Sequence, residues 1–349
     1  MVTKIGLDLG YANITLSDVM AEIYREPAIA LVYKEARADS CRIISIGNDA
    51  LDSNGEEGET DQGMLIRPFK NGILFDHQLT SEIIHNAIKA VKSLDSIRCV
   101  IGVPGDFVPK QEKELFSMLN EAGVDQVYSV NRALAALVGA GYSPSMSAIS
   151  VNIGAQSTEI GVFHNGDLIY NARRQIGGED FDRAVKKYVL DQGDVNISLY
   201  VARAIKERLG AVWQGKPNDS IDIEGTLSLT GSRLKMNVTT EDIVGVFEEP
   251  LYELMRSIVD VVNKIPADAM KAILANGIIL TGGGAELFGI EHLMQKVLGV
   301  QVTKPQNAID AVAKGLSRIN SLLPVRMKTN NKNITDSVAK FYSPKPNQE

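Results

Sequence analysis

The sequence predicts an α/β protein made of two similar halves. Strand–glycine turn–strand hairpins occur at residues 4–16 and again at residues 148–163. Helical spacings of apolar residues follow each hairpin, an order typical of α/β domains rather than of helical bundles or β-sandwiches. The 349 residues also suffice for about two domains, each with its own core.

The two hairpins align with each other along their length. Superposing Gly10 on Gly154 shifts the chain by 144 positions. The same shift aligns Asp8 with Asn152 and Asn13 with Ser157. A duplicated domain explains this pattern, although any pair of strands around a glycine turn would show part of it.

Composition and charge exclude several classes of protein. With 44% hydrophobic and 23% charged residues, the chain is neither disordered nor collagen-like. A net charge of −7 argues against a nucleic-acid-binding surface, because neutralising phosphates needs clustered cations. The two cysteines, Cys41 and Cys99, are far from each other and from the histidines in the sequence. This pattern is typical of a protein in the reducing cytoplasm and predicts no zinc site.

The sequence contains no pattern typical of a signal peptide or of a bilayer-spanning helix. The first residues lead directly into a strand pattern, without a basic region, an apolar core and a cleavage site. The longest uncharged stretch, residues 133–158, is interrupted by Ser-Pro-Ser and fits a helix end, a turn and a strand better. We therefore expect a soluble protein.

The elements between the hairpins are predicted from apolar spacing and turn residues. An acidic, glycine-rich stretch at residues 52–61 predicts an exposed loop. Helices are predicted at residues 80–94 and 110–122, and buried strands at residues 99–104 and 127–130. Small residues dominate residues 131–141, which predicts a helix that packs closely against a neighbour.

The second half continues the alternation of strands and helices. Helices are predicted at residues 181–190, 199–209 and 244–264, and a buried strand at residues 277–280 leads into Thr-Gly-Gly-Gly. From residue 324 the chain is rich in Pro and Asn and loses its periodicity, which predicts a flexible tail over residues 324–349. That tail is basic, with Arg326, Lys328, Lys332, Lys340 and Lys345 against Asp336 and Glu349.

Three glycine turns follow apolar strands, at Gly10, at Gly154 and at residues 282–284. Such a turn leaves backbone N–H groups directed outward, where they can bind phosphate oxygens. Glycine suits the turn because a positive φ and a close approach exclude a Cβ. Asp8, two residues before the first turn, is a candidate to hold hydrated Mg²⁺, which binds phosphates through carboxylates and retained waters.

These motifs resemble the actin–hexokinase–heat-shock ATPase superfamily and, within it, the bacterial actin MreB family. IGLDLGYAN is similar to the first phosphate loop of that family, and VNIGAQSTEIGVF is similar to the second. RPFKNGILFD, VIGVP, AALVGAG, IGGEDFD, TGGGAEL and DAVAKGLSRI also occur in the order of the family. The similarity covers residues 3–320, nearly the whole chain.

The resemblance implies an actin-like fold with two large subdomains around a nucleotide cleft, each carrying a smaller subdomain. Large subdomain IA would comprise residues 1–30, 67–145 and 310–323, small subdomain IB residues 31–66, large subdomain IIA residues 146–181 and 244–309, and small subdomain IIB residues 182–243. It also implies ATP or ADP with Mg²⁺ in the cleft. Head-to-tail filaments of the protein itself would serve cell shape or motility in the cytoplasm.

By position, the nucleotide-binding residues of the family fall on both walls of this cleft. Asp8, Gly10, Tyr11, Ala12 and Asn13 would lie on one side of the phosphates, and Gly154, Ala155, Gln156 and Ser157 on the other. Gly178, Arg203, Lys206, Glu207, Gly283, Gly284 and Ala285 would surround the sugar and the base. The Ile-Lys-Glu at residues 205–207 resembles a nucleotide-contacting motif of actin.

The departures from the family pattern concentrate on hydrolysis. Where the family has Glu-Glu-Pro, whose second Glu orients the attacking water, this chain has Asn131-Arg132-Ala133. An arginine has donors only, so it cannot accept a hydrogen bond from that water. Asn152 replaces the Asp that begins the second loop, so we expect weaker Mg²⁺ binding, and the charge of Arg132 would partly substitute for the metal. Gln156 also adds bulk beside the phosphates, which would oppose nucleotide binding itself.

The expected enzyme is therefore at most a weak ATPase. In the alternative interpretation, Arg132 points into solvent and another residue orients the water. Two other functions stay open: an actin-fold small-molecule kinase, which needs a base for a substrate hydroxyl, and a non-polymerising actin-like adaptor.

Membrane attachment also departs from the family pattern. Residues 92–96 lack the apolar pair that many MreB proteins place in this loop. Two interpretations stay open for the basic tail, which has Val338, Phe341 and Tyr342 between its lysines: contact with anionic lipid at the inner face of the cell membrane, or the more common solvated tail. Copolymerisation with MreB paralogues is a further interpretation.

Overall fold

A computed structural model of the chain describes residues 2–34, 41–54, 59–60, 63–70, 73–74, 76–93, 95–324 and 330–342. The helices are α1 (Asn48–Asn54), α2 (His77–Lys89), α3 (Pro109–Glu121), α4 (Arg132–Gly139), α5 (Gly178–Gly193), α6 (Leu199–Leu209), α7 (Thr240–Ile243), α8 (Glu248–Val262), α9 (Ala267–Ile273), α10 (Ile290–Leu298), α11 (Ala311–Leu322) and α12 (Thr335–Tyr342). Much of the loop predicted at residues 52–61 lies outside the described residues.

The strands form two large sheets, two smaller sheets and one short hairpin. They are β1 (Val2–Leu9), β2 (Asn13–Ser17), β3 (Glu22–Pro27), β4 (Ala30–Lys34), β5 (Cys41–Ile46), β6 (Glu59–Thr60), β7 (Gly63–Ile66), β8 (Phe69–Lys70), β9 (Ile73–Leu74), β10 (Ser96–Val103), β11 (Gln126–Asn131), β12 (Ala148–Ile153), β13 (Thr158–His164), β14 (Asp167–Arg174), β15 (Val195–Asn196), β16 (Ser220–Leu227), β17 (Arg233–Thr239), β18 (Ile278–Thr281), β19 (Val302–Thr303) and β20 (Lys332–Asn333).

The first hairpin lies inside a six-stranded sheet with the strand order β20-β11-β10-β1-β2-β3. Its first strand, β1, pairs antiparallel with β2 and parallel with β10. All but the first residue of β10 are buried, which fits its apolar run, because parallel strands are usually covered on both faces. The helix α11 packs against both β1 and β10.

The second hairpin repeats this arrangement in a five-stranded sheet with the order β14-β13-β12-β18-β19. Its first strand, β12, pairs antiparallel with β13 and parallel with β18. The repeated pairing confirms the α/β class and the predicted likeness of the two hairpins. Two smaller sheets, β5-β4-β7-β6 and β15-β16-β17, complete the strand pairing of the two halves.

The helices α4 and α11 pack so closely that their backbones are in contact. A Cβ added at Gly139 of α4 would lie 1.6 Å from the Ala311 carbonyl oxygen. A Cβ added at Gly315 of α11 would lie 1.7 Å from the Ala135 carbonyl oxygen. The prediction that residues 131–141 form a closely packed, small-residue helix is therefore confirmed, and this packing fixes the start of α4 beside the first hairpin.

The C-terminal segment differs from the predicted flexible tail. β20 pairs in parallel with β11 at the edge of the first sheet, and α12 follows it. Ile334 and Val338 are 1% and 0% exposed, and the Thr335 hydroxyl accepts a 3.0 Å hydrogen bond from the Asn131 N–H. The prediction is wrong for residues 330–342, because a two-residue strand and an eight-residue helix are too short to show a readable periodicity.

This folded segment changes the membrane interpretation of the tail. Val338 is in the interior, and Phe341 and Tyr342 pack against the same apolar cluster. These residues therefore do not form an exposed apolar anchor, while Arg326, Lys328 and Lys345 lie outside the described residues. Within the described ranges, every helix is too short or too polar to cross a bilayer.

Candidate functional site

The turns of both hairpins line one cleft of about 510 Å³. The predicted site residues that line it are Asp8, Gly10, Tyr11, Ala12, Asn13, Arg132, Asn152, Gly154, Ala155, Gln156, Ser157, Gly178, Arg203, Lys206, Glu207, Gly283 and Gly284. Ala285 is the one predicted nucleotide-binding residue that does not line the cleft, and its side chain is fully buried. The structure thus brings together residues that are far apart in the sequence.

Close backbone approach explains the glycine in each hairpin turn. A Cβ at Gly10 would lie 2.6 Å from the Asn13 carbonyl oxygen, and a Cβ at Gly154 would lie 3.0 Å from the Ser157 carbonyl oxygen. Of the three turns, only the third has the predicted positive φ, at Gly282 with φ 85°. The expectation of positive φ is therefore wrong at the two hairpins, where the tight fold of the turn alone excludes a side chain.

The second hairpin turn is joined to the start of α5. The Gly178 and Glu179 N–H groups donate hydrogen bonds of 2.9 and 2.7 Å to the carbonyl oxygens of Gly154 and Ala155. The side chain of Gln156 donates to the Glu179 carboxylate at 3.2 Å. These contacts fix the backbone of the second turn against the helix.

The third glycine turn packs on the second hairpin. A Cβ at Gly282 would lie 2.3 Å from the Ile153 carbonyl oxygen, and one at Gly284 would lie 2.2 Å from the Ile153 side chain. A Cβ at Gly283 would meet nothing within 4 Å. The backbone of Gly283 therefore stays open to the cleft while its neighbours hold the turn in place.

The predicted sugar and base contacts lie on α5 and α6. Lys206 Nζ lies 2.7 Å from Asp182 Oδ1 and donates a 3.0 Å hydrogen bond to the Gly178 carbonyl oxygen. Burial raises the pKa of Asp182, and the Lys206 ammonium opposes this rise. Arg203 Nε donates to Glu207 at 2.8 Å, one helical turn away. Both pairs present charged groups at one end of the cleft.

Arg132 lies between the two hairpin turns and does not point into solvent. Its Nη2 is 3.1 Å from Asp8 Oδ1, and its side chain is only 14% exposed. The same Nη2 donates a hydrogen bond to the Leu9 carbonyl oxygen. Arg132 is also the first residue of α4, where the helix dipole disfavours a cation, so the Asp8 carboxylate stabilises it there.

Asn152 occupies the place in the second hairpin that Asp8 occupies in the first. Its side chain is buried, and its Oδ1 accepts a 3.2 Å hydrogen bond from the Thr281 hydroxyl. This bond ties β12 to its parallel neighbour β18 below the third glycine turn. An amide is neutral, so this position adds no negative charge to the cleft.

The sequence that forms these two hairpins and this cleft matches the model of a known family. The family model described as MreB/Mbl protein matches residues 2–326. The chain belongs to the MreB/Mbl family. The cell shape-determining protein MreB of Escherichia coli K12 is 26% identical over 319 residues, which cover 89% of this chain and 91% of that protein. The Mbl protein of Bacillus subtilis 168 is 27% identical over 320 residues, with 89% and 93% covered.

Solved structures confirm the predicted actin-like fold. MreB5 of Spiroplasma citri bound to ADP superposes with a TM-score of 0.83 at 20% identity, covering 91% of this chain and 95% of that one. A MamK double helical filament superposes with a TM-score of 0.76 at 18% identity, covering 93% and 100%. At such identities the likeness concerns the fold, which this MreB/Mbl chain shares with both.

Glu159 is a cleft residue of this MreB/Mbl chain that the sequence analysis did not single out. It lies opposite Asn152 on β13 and is 2% exposed. Its Oε1 lies 3.9 Å from Arg173 Nε, and neither carboxylate oxygen makes a hydrogen bond of standard geometry within the described chain. Burial raises the pKa of Glu159 to about 7, and the charges of Arg132 and Arg173 oppose this rise. The signal in the sequence is a single charged residue inside the apolar strand run TEIGVF.

Two further arginines of the cleft region were not predicted. Arg67 donates a 3.2 Å hydrogen bond to the Tyr11 carbonyl oxygen, and its guanidinium lies 4.9 Å from the centre of the Tyr11 ring. Arg25 lies 2.5 Å from Asp310 at the start of α11. No spacing in the sequence indicates either contact, because each joins segments that meet only in the folded chain.

The residues around Asp8 and Asn152 do not fit a resident Mg²⁺ ion. The guanidinium of Arg132 lies against Asp8, the candidate ligand, and Asn152 offers an amide oxygen already bonded to Thr281. In the described ranges, no three His, Cys, Asp or Glu side chains are grouped closely enough to hold a metal ion. A divalent cation prefers carboxylates free of a competing positive charge.

Proposed function

We propose that this MreB/Mbl chain binds ATP or ADP in the cleft and assembles head-to-tail with copies of itself. The resulting cytoskeletal filaments would serve cell shape or motility in the cytoplasm. The observation that carries the proposal is the pair of hairpin turns that line one cleft of about 510 Å³. The structural neighbours support it, since MreB5 was solved with ADP and with AMPPNP and MamK was solved as a filament.

The nucleotide would lie with its phosphates between the two hairpin turns. We propose that residues 11–13 contact them from one wall and residues 155–157 from the other. The sugar and base would lie against Gly178, Arg203, Lys206, Glu207, Gly283 and Gly284, whereas Ala285 is buried. The division into subdomains IA, IB, IIA and IIB at the limits given above belongs to the same proposal.

Hydrolysis would be slow or absent. The Arg132 guanidinium offers donors only and is held by Asp8 and the Leu9 carbonyl oxygen, so it cannot accept a hydrogen bond from an attacking water. Asn152 is neutral and bonded to Thr281, so Mg²⁺ binding would be weakened as well. Phosphoryl transfer to water depends on both positioning and charge neutralisation.

A direct comparison with an ordinary MreB tests this proposal. We expect calorimetry to show ADP binding, and phosphate release to be at least about tenfold slower than that of Escherichia coli MreB under the same conditions, because about 1.4 kcal/mol of lost transition-state stabilisation already gives this factor. The combined change Arg132→Glu and Asn152→Asp is expected to raise the rate. Equal rates for the unchanged chain and the Escherichia coli protein would contradict the slow-hydrolysis proposal.

Contact with anionic membrane at the inner face of the cell, and copolymerisation with MreB paralogues, are further parts of the proposal. Because Val338 is buried, a membrane contact through residues 324–349 would depend on the lysines rather than on an apolar anchor. Co-pelleting with liposomes that contain anionic lipid compares the full chain with a 324–349 deletion. Equal pelleting of the two would remove this contact from the proposal.

A further inference from the structure

We infer that Arg132 is the resident cation of the phosphate site, so that this chain binds nucleoside phosphates without a divalent metal ion. The inference deepens the proposed function and rests on it. It starts from the place of the guanidinium, which lines the cleft between the two hairpin turns.

The contacts of Arg132 hold its guanidinium in one orientation and leave a donor unused. Nη2 is engaged by Asp8 Oδ1 at 3.1 Å and by the Leu9 carbonyl oxygen. Nε is buried and has no hydrogen-bond partner in the described part of the chain. A guanidinium carries five N–H donors in a rigid fork that matches the oxygens of a phosphate group. A phosphate oxygen that reached the guanidinium would supply the partner that this buried donor lacks.

The charges around Asp8 disfavour a divalent cation at this place in the cleft. Arg132 and Asp8 cancel each other, and Asn152 is neutral. A divalent cation placed beside Asp8 would meet the guanidinium at a few ångströms, a repulsion that the low dielectric of a partly closed cleft strengthens. Glu159, the carboxylate opposite Asn152, is only 2% exposed in the cleft wall.

The helix behind Arg132 adds to the same field. Arg132 begins α4, and the side chain of Asn131 accepts hydrogen bonds from the Ala133 and Leu134 N–H groups. The positive end of the helix dipole and the guanidinium thus lie together. A bound phosphate would relieve this concentration of positive charge, as Asp8 does in its absence.

The test measures the affinity for a fluorescent ADP analogue, mant-ADP, with Mg²⁺ and with EDTA. For the unchanged chain we expect the two dissociation constants to agree within about threefold, less than 1 kcal/mol. Arg132→Glu is expected to bind at least about tenfold more weakly in EDTA than in Mg²⁺, because only a metal can then neutralise the phosphates. Arg132→Met is expected to weaken binding in EDTA, since it removes the cation that would contact the phosphates.

Arg256→Glu is the matched control, because it makes the same charge change on α8 at a side chain that is 62% exposed. It is expected to leave both dissociation constants unchanged, and circular dichroism reports whether each variant is folded. Binding by the unchanged chain that disappears in EDTA would overturn the inference while leaving the proposed function in place. Failure to bind under every condition would overturn the proposed nucleotide site on which the inference rests.

Discussion

Replacing Glu159 with glutamine is expected to raise the free energy of unfolding at pH 8 by about 3 kcal/mol. Burial raises the pKa of the Glu159 carboxyl from 4.5 to about 7, because the charged form loses its hydration, and Arg132 and Arg173 oppose only part of this cost. Between about pH 4.5 and pH 7, the Glu159 carboxyl thus keeps its proton in the folded chain but loses it in the unfolded chain. Stability from this group is therefore greatest at low pH and is lost as the pH rises through 7.

Urea unfolding of the unchanged chain and of Glu159→Gln between pH 5 and pH 8 measures this effect. The difference between them should shrink from about 3 kcal/mol at pH 8 to less than about 1 kcal/mol at pH 5. Glu253→Gln, at a side chain that is 52% exposed on α8, is the control and should change stability by at most about 0.5 kcal/mol. A Glu159→Gln difference that stays constant over this pH range would contradict the assignment of a buried, mostly uncompensated charge.

Replacing Arg98 with methionine is expected to destabilise the chain by about 3 kcal/mol or more. The Arg98 side chain is fully buried and donates to Asn320 Oδ1 at 2.7 Å, to the Asn320 carbonyl at 2.8 Å and to the Pro324 carbonyl at 2.7 Å. The last carbonyl groups of a helix lack partners within it, so this guanidinium satisfies the C-terminal end of α11. The variant would leave these acceptors buried and unpaired.

Arg208→Met provides the comparison, because Arg208 makes its hydrogen bonds to Asp219 at the surface. Loss of that exposed pair should change the free energy of unfolding far less than Arg98→Met does, because solvent screens the charges of an exposed pair. Urea unfolding of the two variants gives the difference in stability from their midpoints, provided that the slope of unfolding free energy against urea concentration is the same for both. If Arg98→Met were no more destabilised than Arg208→Met, the anchoring of α11 to β10 by this arginine would be refuted.

Strongly periodic elements could be predicted from the sequence with nearly the right bounds. The helix predicted at residues 199–209 is α6, with the same limits. The helix predicted at residues 244–264 begins later, at Glu248, because Gly245 has a φ of 88° and interrupts the helix. The segment at residues 330–342 was missed because its stability comes from burial of Ile334 and Val338 against distant strands and helices rather than from its own periodicity.

The location of the cleft could be predicted from the glycine turns, but its charge arrangement could not. Sequence comparison identifies Arg132 and Asn152 as departures from the MreB pattern. The hydrogen bond from Arg132 to the Leu9 carbonyl oxygen joins residues 123 positions apart, so its geometry depends on the packing of α4 beside the first hairpin. The residue paired with Glu159 across its hairpin is the neutral Asn152. The raised pKa of Glu159 comes from its burial, and no local sequence pattern reveals that burial.

Filament formation that depends on nucleotide in the cleft can be measured by high-speed pelleting of the pure protein over a concentration series, with and without ATP. We expect the protein to pellet above a threshold concentration when ATP is added, whether Mg²⁺ or EDTA is present. A protein that stays in the supernatant at every concentration under all of these conditions would refute filament formation and favour a non-polymerising adaptor.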